Sequence, residues 1–254
     1  MTHFSRLLDA LASPGAAQRV RSLDSGGILE KAIPELGEGR AFAQPELHHY
    51  DVFEHNVAAV QALDSALYGP DSGELRQALA PADVDRVLSR RVDDLPLVML
   101  TRLACLVHDI GKPRTATQLD GRLRFPRHGS VGATMLEARL PEAGLPEEAT
   151  DLVCRLVRQH LRPAELVRNR PPTERAVRRF AASVNGHVIP LMLLNLSDGW
   201  ATRGPGYTRD NFRRHYSFAA YVLELCAGVD PGSGVSPSDV QGRSDSVDRP
   251  EGLT

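Results

Sequence analysis

The sequence predicts an all-α fold. Apolar residues recur at helical spacing along most of the 254-residue chain, and no segment shows the sustained alternation typical of strands. The composition, 42% hydrophobic and 24% charged, is that of an ordinary globular protein whose chain is long enough to bury a substantial core. Together these observations favour packed helices over a sheet-based architecture.

The first 49 residues are predicted to form short helices and a loop that pack on the rest of the chain. Thr2 is a suitable N-cap for a helix that ends at Leu11, before the breaker Ser13-Pro14-Gly15. A second short helix fits Gly27–Leu36. Residues 37–49 contain the glycines and proline of a loop.

Residues 50–227 are predicted to form the main domain. Its first helix is Asp51–Leu67, and the opening aspartate is a good N-cap. The helix Pro96–His108 is apolar on nearly every side, so we expect it to be central. The intervening Ser72–Ser89 is polar and is predicted to be a helical insertion facing solvent.

The second half of this domain is also predicted to be helical, apart from one turn. Asp120-Gly121 indicates a small hairpin near residues 118–125. Further helices are predicted at His128–Leu140, Pro146–His160, Thr173–Val184, His187–Ser197 and Arg209–Cys226. Residues 228–254 are rich in Gly, Ser, Asp and Pro with almost no large apolar residue, so they are predicted to be a disordered tail.

Charge and cysteine usage limit the class of protein. A net charge of -2 gives no general attraction to nucleic acid. The three cysteines lie in apolar helical patterns, which predicts buried free thiols and a reducing compartment. The N-terminus lacks a signal pattern, and the longest apolar run, Val188–Leu196, is far shorter than the roughly 20 residues of a membrane span. We therefore expect a soluble cytoplasmic protein with no membrane partner.

The dipeptide His108-Asp109 ends the apolar helix in the segment LVHDIGK. The carbonyl groups at a helix C-terminus are unpaired and carry partial negative charge, which suits a bound cation. An imidazole and a carboxylate at this point are therefore candidate metal ligands. The alternative is a polar helix terminus with an exposed aspartate.

Four other residues are candidate ligands, each with an alternative role. Asp198 follows the apolar run VIPLMLLNLS, where a buried carboxylate is costly unless it is paired or metal-bound. An exposed C-terminal turn is the alternative for Asp198. His55 falls near the apolar face of its helix, where a core histidine is the alternative. His128 opens one helix and His160 closes another, and each could equally be a helix-terminal histidine.

The order of these residues, His, His-Asp, His, His and Asp, resembles that of the HD-domain superfamily of metal-dependent phosphohydrolases. The sequence is most similar to the HD domain that follows the polymerase head of bacterial tRNA nucleotidyltransferases (the CCA-adding and poly(A) polymerase family). The resemblance covers residues 29–221 and is carried by LVHDIGKPRT, FPRHGSVGA, RLVRQHLRP, PTERAVRRF and LSDGWATRG. The first fifty residues show neither the Gly-Gly phosphate loop nor the paired carboxylates of that head, so we expect a free-standing HD domain without nucleotide addition.

The resemblance implies an HD-type helical bundle built around a metal site. It implies that one ion is held by His55, His108, Asp109 and Asp198. It further implies that His128 and His160 hold a second ion, with Asp109 bridging the two. Mixed imidazole and carboxylate ligands suit Mn, Ni, Fe, Co or Zn better than Mg, so one or two divalent ions are expected, with Mg as the alternative metal.

Basic residues near the implied ligands are candidates for contacts with substrate phosphate. Lys112 follows the His-Asp pair, and the resemblance implies that it acts with Asp109 in catalysis by neutralising charge on the phosphoryl oxygens. A helix-terminal cation is the alternative. The other candidates are Arg114, Arg127, Arg162 and Arg203. A solvated surface arginine is the alternative for each.

The expected function is hydrolysis of a phosphate ester by a phosphodiesterase or phosphatase acting on a nucleotide or an RNA end, such as a 2′,3′-cyclic phosphate. One alternative is a non-catalytic module that binds a nucleotide or tRNA. Another is a dinuclear HD hydrolase of dinucleoside polyphosphates or signalling nucleotides. The complete ligand set favours an enzyme. Substrate choice is expected to depend on the cleft walls, among them the loop His48–Tyr50 and the helix Arg209–Tyr221.

Overall fold

A computed structural model of the protein describes residues 1–45, 48–70, 72–79, 84–167 and 171–227. In these ranges the chain is helical apart from two short antiparallel hairpins, which confirms the predicted all-α class. The predicted disordered tail, residues 228–254, lies outside the described residues. The division into an N-terminal unit and a main domain stays a prediction.

The N-terminal residues form three helices and a 3-10 turn, namely α1 (His3–Leu11), α2 (Ala16–Ser25), α3 (Ile28–Ala32) and Pro34–Gly39. The Thr2 side chain caps α1 by accepting a hydrogen bond from the Ser5 N–H at 3.0 Å, as the sequence predicts. Helix α2 was not predicted, because its sequence is mostly polar. The predicted helix Gly27–Leu36 breaks at Ile33 because Pro34 lacks the N–H that would continue it.

Four long helices form the centre of the molecule: α4 (Val52–Tyr68), α7 (Leu97–Val107), α10 (Glu147–Gln159) and α13 (Val188–Arg203). Helix α4 packs against α13 and α7, while α10 packs against α7 and α9 (His128–Ala143). Asp51 caps α4 as predicted, since its Oδ1 accepts from the Glu54 N–H at 2.7 Å. Ten of the eleven residues of α7 are buried, which confirms its central position.

Residues 72–92 correct one sequence prediction. They form α5 (Ser72–Ala78), α6 (Val84–Leu88) and the strand β1 (Arg91–Val92), which pairs with β2 (Leu95–Pro96). The prediction of a solvent-facing insertion is wrong, because Leu75, Leu79 and Val87 are buried. Burial of these apolar side chains on the core stabilises the fold. The polar neighbours remain exposed, so they keep their hydration.

The remaining elements connect the central helices. They are α8 (Lys112–Thr115), β3 (Thr117–Leu119), β4 (Arg122–Arg124), α11 (Arg162–Val167), α12 (Glu174–Ser183), a 3-10 turn (Gly204–Gly206) and α14 (Arg209–Ala227). The hairpin of β3 and β4 matches the predicted turn at Asp120-Gly121. Two helices run past their predicted ends: α9 continues through Pro141 to Ala143, and α13 continues to Arg203.

Cys105, Cys154 and Cys226 are all buried thiols that form no disulfide, as predicted. Among the described residues no single helix is long and apolar enough to cross a membrane. Glu174–Ser183 and Val188–Gly206 reach the required length and composition only as a pair, across a 90° bend.

Candidate metal centre

The His108-Asp109 pair lies in the interior of the protein. Helix α7 ends at Val107, His108 is its C-cap, and the two side chains are 0% and 1% exposed. Helix α9 can approach closely here because residue 111 is a glycine, whose added Cβ would lie 2.3 Å from the carbonyl oxygen of His128. This close approach brings the first turn of α9 beside the pair.

The first group of candidate ligands joins α4, the end of α7 and α13. Its members are His55, His108, Asp109 and Asp198. Nε2 of His55 lies 3.2 Å from Nε2 of His108 and 3.1 Å from Oδ1 of Asp198. The same nitrogen lies 3.3 Å from Oδ2 of Asp109. Four donor atoms from three helices therefore converge on one point.

The second group joins the end of α7, the start of α9 and the end of α10. Its members are Asp109, His128 and His160. Oδ1 of Asp109 lies 3.2 Å from Nε2 of His128 and 3.8 Å from Nε2 of His160. The two imidazole nitrogens are 3.1 Å apart. Asp109 thus belongs to both groups and presents a different carboxylate oxygen to each.

Three of the four histidines are oriented by backbone carbonyl groups. Nδ1 lies 2.9 Å from the Cys105 oxygen in His108, 2.8 Å from the Phe125 oxygen in His128 and 2.7 Å from the Val157 oxygen in His160. In the neutral ring, donation from Nδ1–H leaves a lone pair on Nε2, directed at the ligand group. Two such lone pairs 3.1 Å apart repel each other unless a proton or a cation lies between them.

Charges within the site keep both carboxyl groups ionised. Burial alone would raise the pKa of Asp109, but Lys112 and His108 outweigh it and hold that pKa well below its usual range. His108 and His55 have the same effect on the pKa of Asp198. Burial opposes protonation of His108, yet the two carboxylates raise its pKa to about 10.

His160 differs from His108 in its charge state. Burial, followed by the charges of His108 and His128, lowers the pKa of His160 to about 3. His160 is therefore neutral at physiological pH, which is the form that binds a metal.

The residues fit one or two divalent ions. Two ligands about 2.1 Å from an ion, at angles of 90–109°, lie roughly 3.0–3.4 Å apart. In the first group the atom pairs that contact each other are separated by 3.1–3.6 Å. Both carboxylate oxygens of Asp109 are buried, and their nearest partners among the described residues are Nζ of Lys112 and the Nε2 atoms of the surrounding histidines, the arrangement expected of a carboxylate that ligates an ion.

Lys112 is part of this cluster. Its side chain is 7% exposed, and Nζ lies 2.6 Å from Oδ2 of Asp109. Nζ also donates a hydrogen bond to Oε1 of Gln44 at 2.7 Å. Gln44 in turn donates from Nε2 to the Tyr50 carbonyl oxygen at 3.2 Å. Sequence reasoning missed Gln44, because a single glutamine in a loop carries no pattern that would single it out.

Arg114 and Arg127 lie outside the ligand groups. They line one wall of an open groove of about 450 Å³ beside α9. Arg114 is exposed and donates from Nε to Oε2 of Glu38 at 2.8 Å. Arg127 is exposed at the start of α9 with a positive φ of 58°. Both arginines face solvent next to the helix that carries His128.

The remaining predicted arginines are also at the surface. Arg162 pairs with Glu165 at 2.9 Å. Arg203 is exposed in the last turn of α13, one turn beyond Asp198. His48 belongs to neither ligand group, although its ring centroid lies 5.7 Å from that of His55. Burial, then the charges of Lys112 and His55, lowers the pKa of His48 to about 4.

The chain is similar in sequence to two bacterial tRNA nucleotidyltransferases. The chain is 34% identical over 197 residues to the A-adding tRNA nucleotidyltransferase of Deinococcus radiodurans. The aligned residues cover 77% of this chain and 38% of that protein. It is 33% identical over 198 residues to the CC-adding tRNA nucleotidyltransferase of Thermus thermophilus, covering 76% of this chain and 38% of that protein. The chain thus spans about two-fifths of the length of these relatives.

A second group of relatives carries a different name. The bifunctional uridylyltransferase/uridylyl-removing enzyme of Erythrobacter litoralis is 31% identical over 169 residues, which cover 65% of this chain and 16% of that protein. Residues 88–182 match the family model of the HD domain, and this range contains His108, Asp109, His128 and His160. The chain therefore carries an HD domain, as its resemblance to that superfamily implies, and it is related in sequence to bacterial tRNA nucleotidyltransferases.

Proposed function

We propose that this protein is a divalent-metal-dependent phosphohydrolase that cleaves a phosphate ester of a nucleotide or of an RNA end. The observation that carries the proposal is the position of Asp109. This buried, ionised carboxylate lies between two groups of histidine and aspartate donors and offers one oxygen to each. Packing alone would not require four imidazole rings and a second carboxylate to gather around this buried carboxylate.

The names of the relatives support chemistry at phosphorus. One group is named for removing a uridylyl group, and another for adding nucleotides to tRNA. A uridylyl group is attached through its phosphate, so its removal breaks a bond to phosphorus. Both names involve nucleotides, which is why we place the substrate in this class.

In the proposed site His55, His108, Asp109 and Asp198 would hold one ion. Asp109, His128 and His160 would hold a second. A bound divalent ion polarises a phosphoryl oxygen and makes a water molecule acidic enough to supply hydroxide near neutral pH. The buried position of these ligands excludes bulk water, which strengthens the attraction between their charges and a phosphate group.

The basic residues have separate roles in the proposal. Lys112 balances the charge of Asp109 and presents its ammonium group to the phosphoryl oxygens of the substrate. Arg114 and Arg127 bind further phosphate oxygens from the groove beside α9, and Arg114 leaves Glu38 to do so. Arg162 and Arg203 supply further phosphate contacts, and Arg162 leaves Glu165 to do so.

The second ligand group favours a dinuclear site. It makes hydrolysis of dinucleoside polyphosphates or signalling nucleotides a second candidate activity within the same enzyme class. The competing reading is a non-catalytic module that binds a nucleotide or tRNA. The similarity to tRNA nucleotidyltransferases favours that module, whereas the complete ligand set favours the enzyme. The buried thiols support a reducing compartment, and we place the protein in the cytoplasm.

The proposal is tested by elemental analysis of the purified protein together with hydrolysis assays. The substrates are bis(p-nitrophenyl) phosphate, 2′,3′-cyclic nucleotides and dinucleoside polyphosphates, each with Mn, Ni, Fe, Co, Zn or Mg. We expect turnover with at least one metal, and loss of turnover in Asp109→Ala with an unchanged circular dichroism spectrum. Asp9→Ala, at an exposed position of α1, is the matched control.

Two results would decide against the enzyme. The first is a protein that holds no metal and hydrolyses none of these substrates with any of the six ions. The second is binding of tRNA that weakens with salt and persists in Asp109→Ala without any hydrolysis, which would establish the binding module instead.

A further inference from the structure

A second cavity, of about 250 Å³, lies where α4 meets the C-terminal part of α13. Its walls combine aromatic rings, small aliphatic side chains and two polar groups. The lining includes Tyr50, Ala58, Gln61, Ser65, Trp200 and Pro205. Ligand sites of whole small molecules are typically about 300–1,000 Å³, so a cavity of this size suits one ring system rather than an entire nucleotide chain.

The two helices that line this cavity, α4 and α13, also carry candidate ligands of the metal centre. Ala58 is three residues after His55 on α4, which is about 4.5 Å along the helix axis. Trp200 follows Asp198 by two residues on α13. Both helices therefore carry a candidate ligand and a cavity residue within one turn of each other, which places the cavity near the metal centre.

The indole ring of Trp200 is held in a fixed orientation. The ring of Tyr207 stacks on it with centroids 5.2 Å apart and an interplanar angle of 15°. The hydroxyl group of Tyr207 lies 2.7 Å from Nδ1 of His215, within hydrogen-bonding distance. An aromatic wall that is fixed before binding loses little conformational freedom when a ligand stacks on it.

The position of Tyr50 in the cavity depends on its neighbour His49. Its N–H donates to the Thr202 carbonyl oxygen at 3.0 Å, which ties the loop to the last turn of α13. Its ring packs on Gly204, where an added Cβ would lie 2.8 Å from Cδ2 of the imidazole. Gly204 also has a positive φ of 49°, so no other residue fits here without strain. The His49 ring contacts Tyr50 edge to face at 4.6 Å, which positions the tyrosine in the cavity.

We propose that this cavity binds the base of the nucleotide substrate, with the base stacked on Trp200 and Tyr50. Gln61 and Ser65 offer an amide and a hydroxyl group to the polar edge of the base. This inference rests on the proposed function, because it names the part of the substrate that determines specificity. Stacking accepts any aromatic base, whereas the amide and hydroxyl groups allow one base to be preferred over another.

The binding step can be measured without hydrolysis. Trp200 is the single tryptophan of the chain, so intrinsic fluorescence excited at the red edge of its absorption reports on this cavity alone. Adenosine, guanosine, cytidine and uridine are titrated into the full chain in EDTA, and ribose 5-phosphate serves as the base-free control. We expect saturable quenching by at least one nucleoside and none by ribose 5-phosphate.

Variants locate the binding within the cavity. Tyr50→Ala should weaken nucleoside binding roughly tenfold, the loss of one base–aromatic stack. Tyr68→Ala is the matched control, since Tyr68 is 49% exposed at the end of α4 and does not line the cavity. Saturation-transfer NMR of the nucleoside extends the measurement to Trp200→Ala, for which a similar loss is expected.

The proposal is overturned if none of the four nucleosides quenches the fluorescence at millimolar concentration. It is also overturned if ribose 5-phosphate quenches equally, or if Tyr50→Ala binds the nucleosides as tightly as the control Tyr68→Ala does. Asp109→Ala separates this proposal from the proposed function. Nucleoside binding retained in that variant supports the cavity even where hydrolysis is absent, and hydrolysis without nucleoside binding leaves the enzyme without this base site.

Discussion

The ammonium group of Lys112 lies 2.6 Å from Oδ2 of Asp109, the same oxygen that faces His55 at 3.3 Å and His108 at 3.4 Å. Both partners of this ion pair are nearly inaccessible to solvent. Lys112 therefore supplies, from within the chain, part of the positive charge that a buried carboxylate requires. The ion pair and a bound metal would stabilise the same group of atoms.

Lys112→Met should lower stability mainly in the metal-free protein. Removing one partner of a buried ion pair costs about 3–5 kcal/mol, because the remaining charge stays buried. A divalent ion at the first ligand group would restore that charge balance. Thermal denaturation should show a large loss of Tm in EDTA and a smaller one with saturating Mn. Lys31→Met, at the exposed Lys31, is the control, and equal losses in both conditions would contradict the argument.

The convergence of the candidate ligands could be predicted because each of them lies at a point that the sequence marks. Asp51 as the cap of α4 fixes the start of the helix that carries His55, and the apolar run of α7 leads directly to His108-Asp109. His128 begins a helix and His160 follows the end of one. Helices that pack around one apolar core bring their ends close together. The HD-domain resemblance and the pattern of helix ends therefore indicate the same candidate ligands.

Contacts between distant loops could not be predicted in this way. Gln44 meets Lys112 across 68 residues, and the cavity between α4 and α13 depends on His49 packing on Gly204. Neither contact has a periodic pattern, because each depends on how two loops cross after the helices have packed. The prediction that Ser72–Ser89 faces solvent was wrong because the composition of this segment is mostly polar. Apolar residues recur there at helical spacing, and only the polar face is exposed.

Single-ligand variants should separate the two metal positions. His128→Ala removes a donor of the second group alone, so bound metal should fall from about two ions to about one. His55→Ala removes a donor of the first group and should also leave about one ion. Asp109→Ala removes the shared carboxylate and should reduce both. Elemental analysis of dialysed protein measures the ratio, and full occupancy in Asp109→Ala would exclude the shared role.

Metal binding should release a proton at neutral pH. The raised pKa of His108, about 10, means that this ring is protonated in the metal-free protein. The lowered pKa of His160, about 3, means that this ring is already neutral. A ligating His108 must lose its proton, so apparent affinity rises with pH up to that raised pKa. Calorimetric titration of Mn in two buffers of different ionisation enthalpy should show about one proton released at the first ligand group, which contains His108, and identical heats in the two buffers would count against it.

The ion pair between Arg102 and Asp64 should be the most sensitive point of the core away from the metal centre. Arg102 is fully buried, and its Nε donates to Oδ1 of Asp64 at 2.7 Å. Its Nη1 donates to the Leu11 carbonyl oxygen at the end of α1 at 3.0 Å. Oδ2 of Asp64 accepts the N–H groups of Gly15 and Ala16 at 2.8 and 3.0 Å. The pair thus joins the first two helices to α4 and α7.

Arg102→Met should therefore destabilise the protein by about 3–5 kcal/mol, since it leaves a charged carboxylate without its counter-ion in the interior. Adding Asp64→Asn should recover part of the loss, because an amide oxygen still accepts from the α2 N-terminus but carries no charge. Urea denaturation of the single and double variants measures both values. Arg6→Met, at an exposed position of α1, is the control. If the double variant is no more stable than Arg102→Met, the cost comes from lost packing of the arginine side chain and not from the unpaired charge.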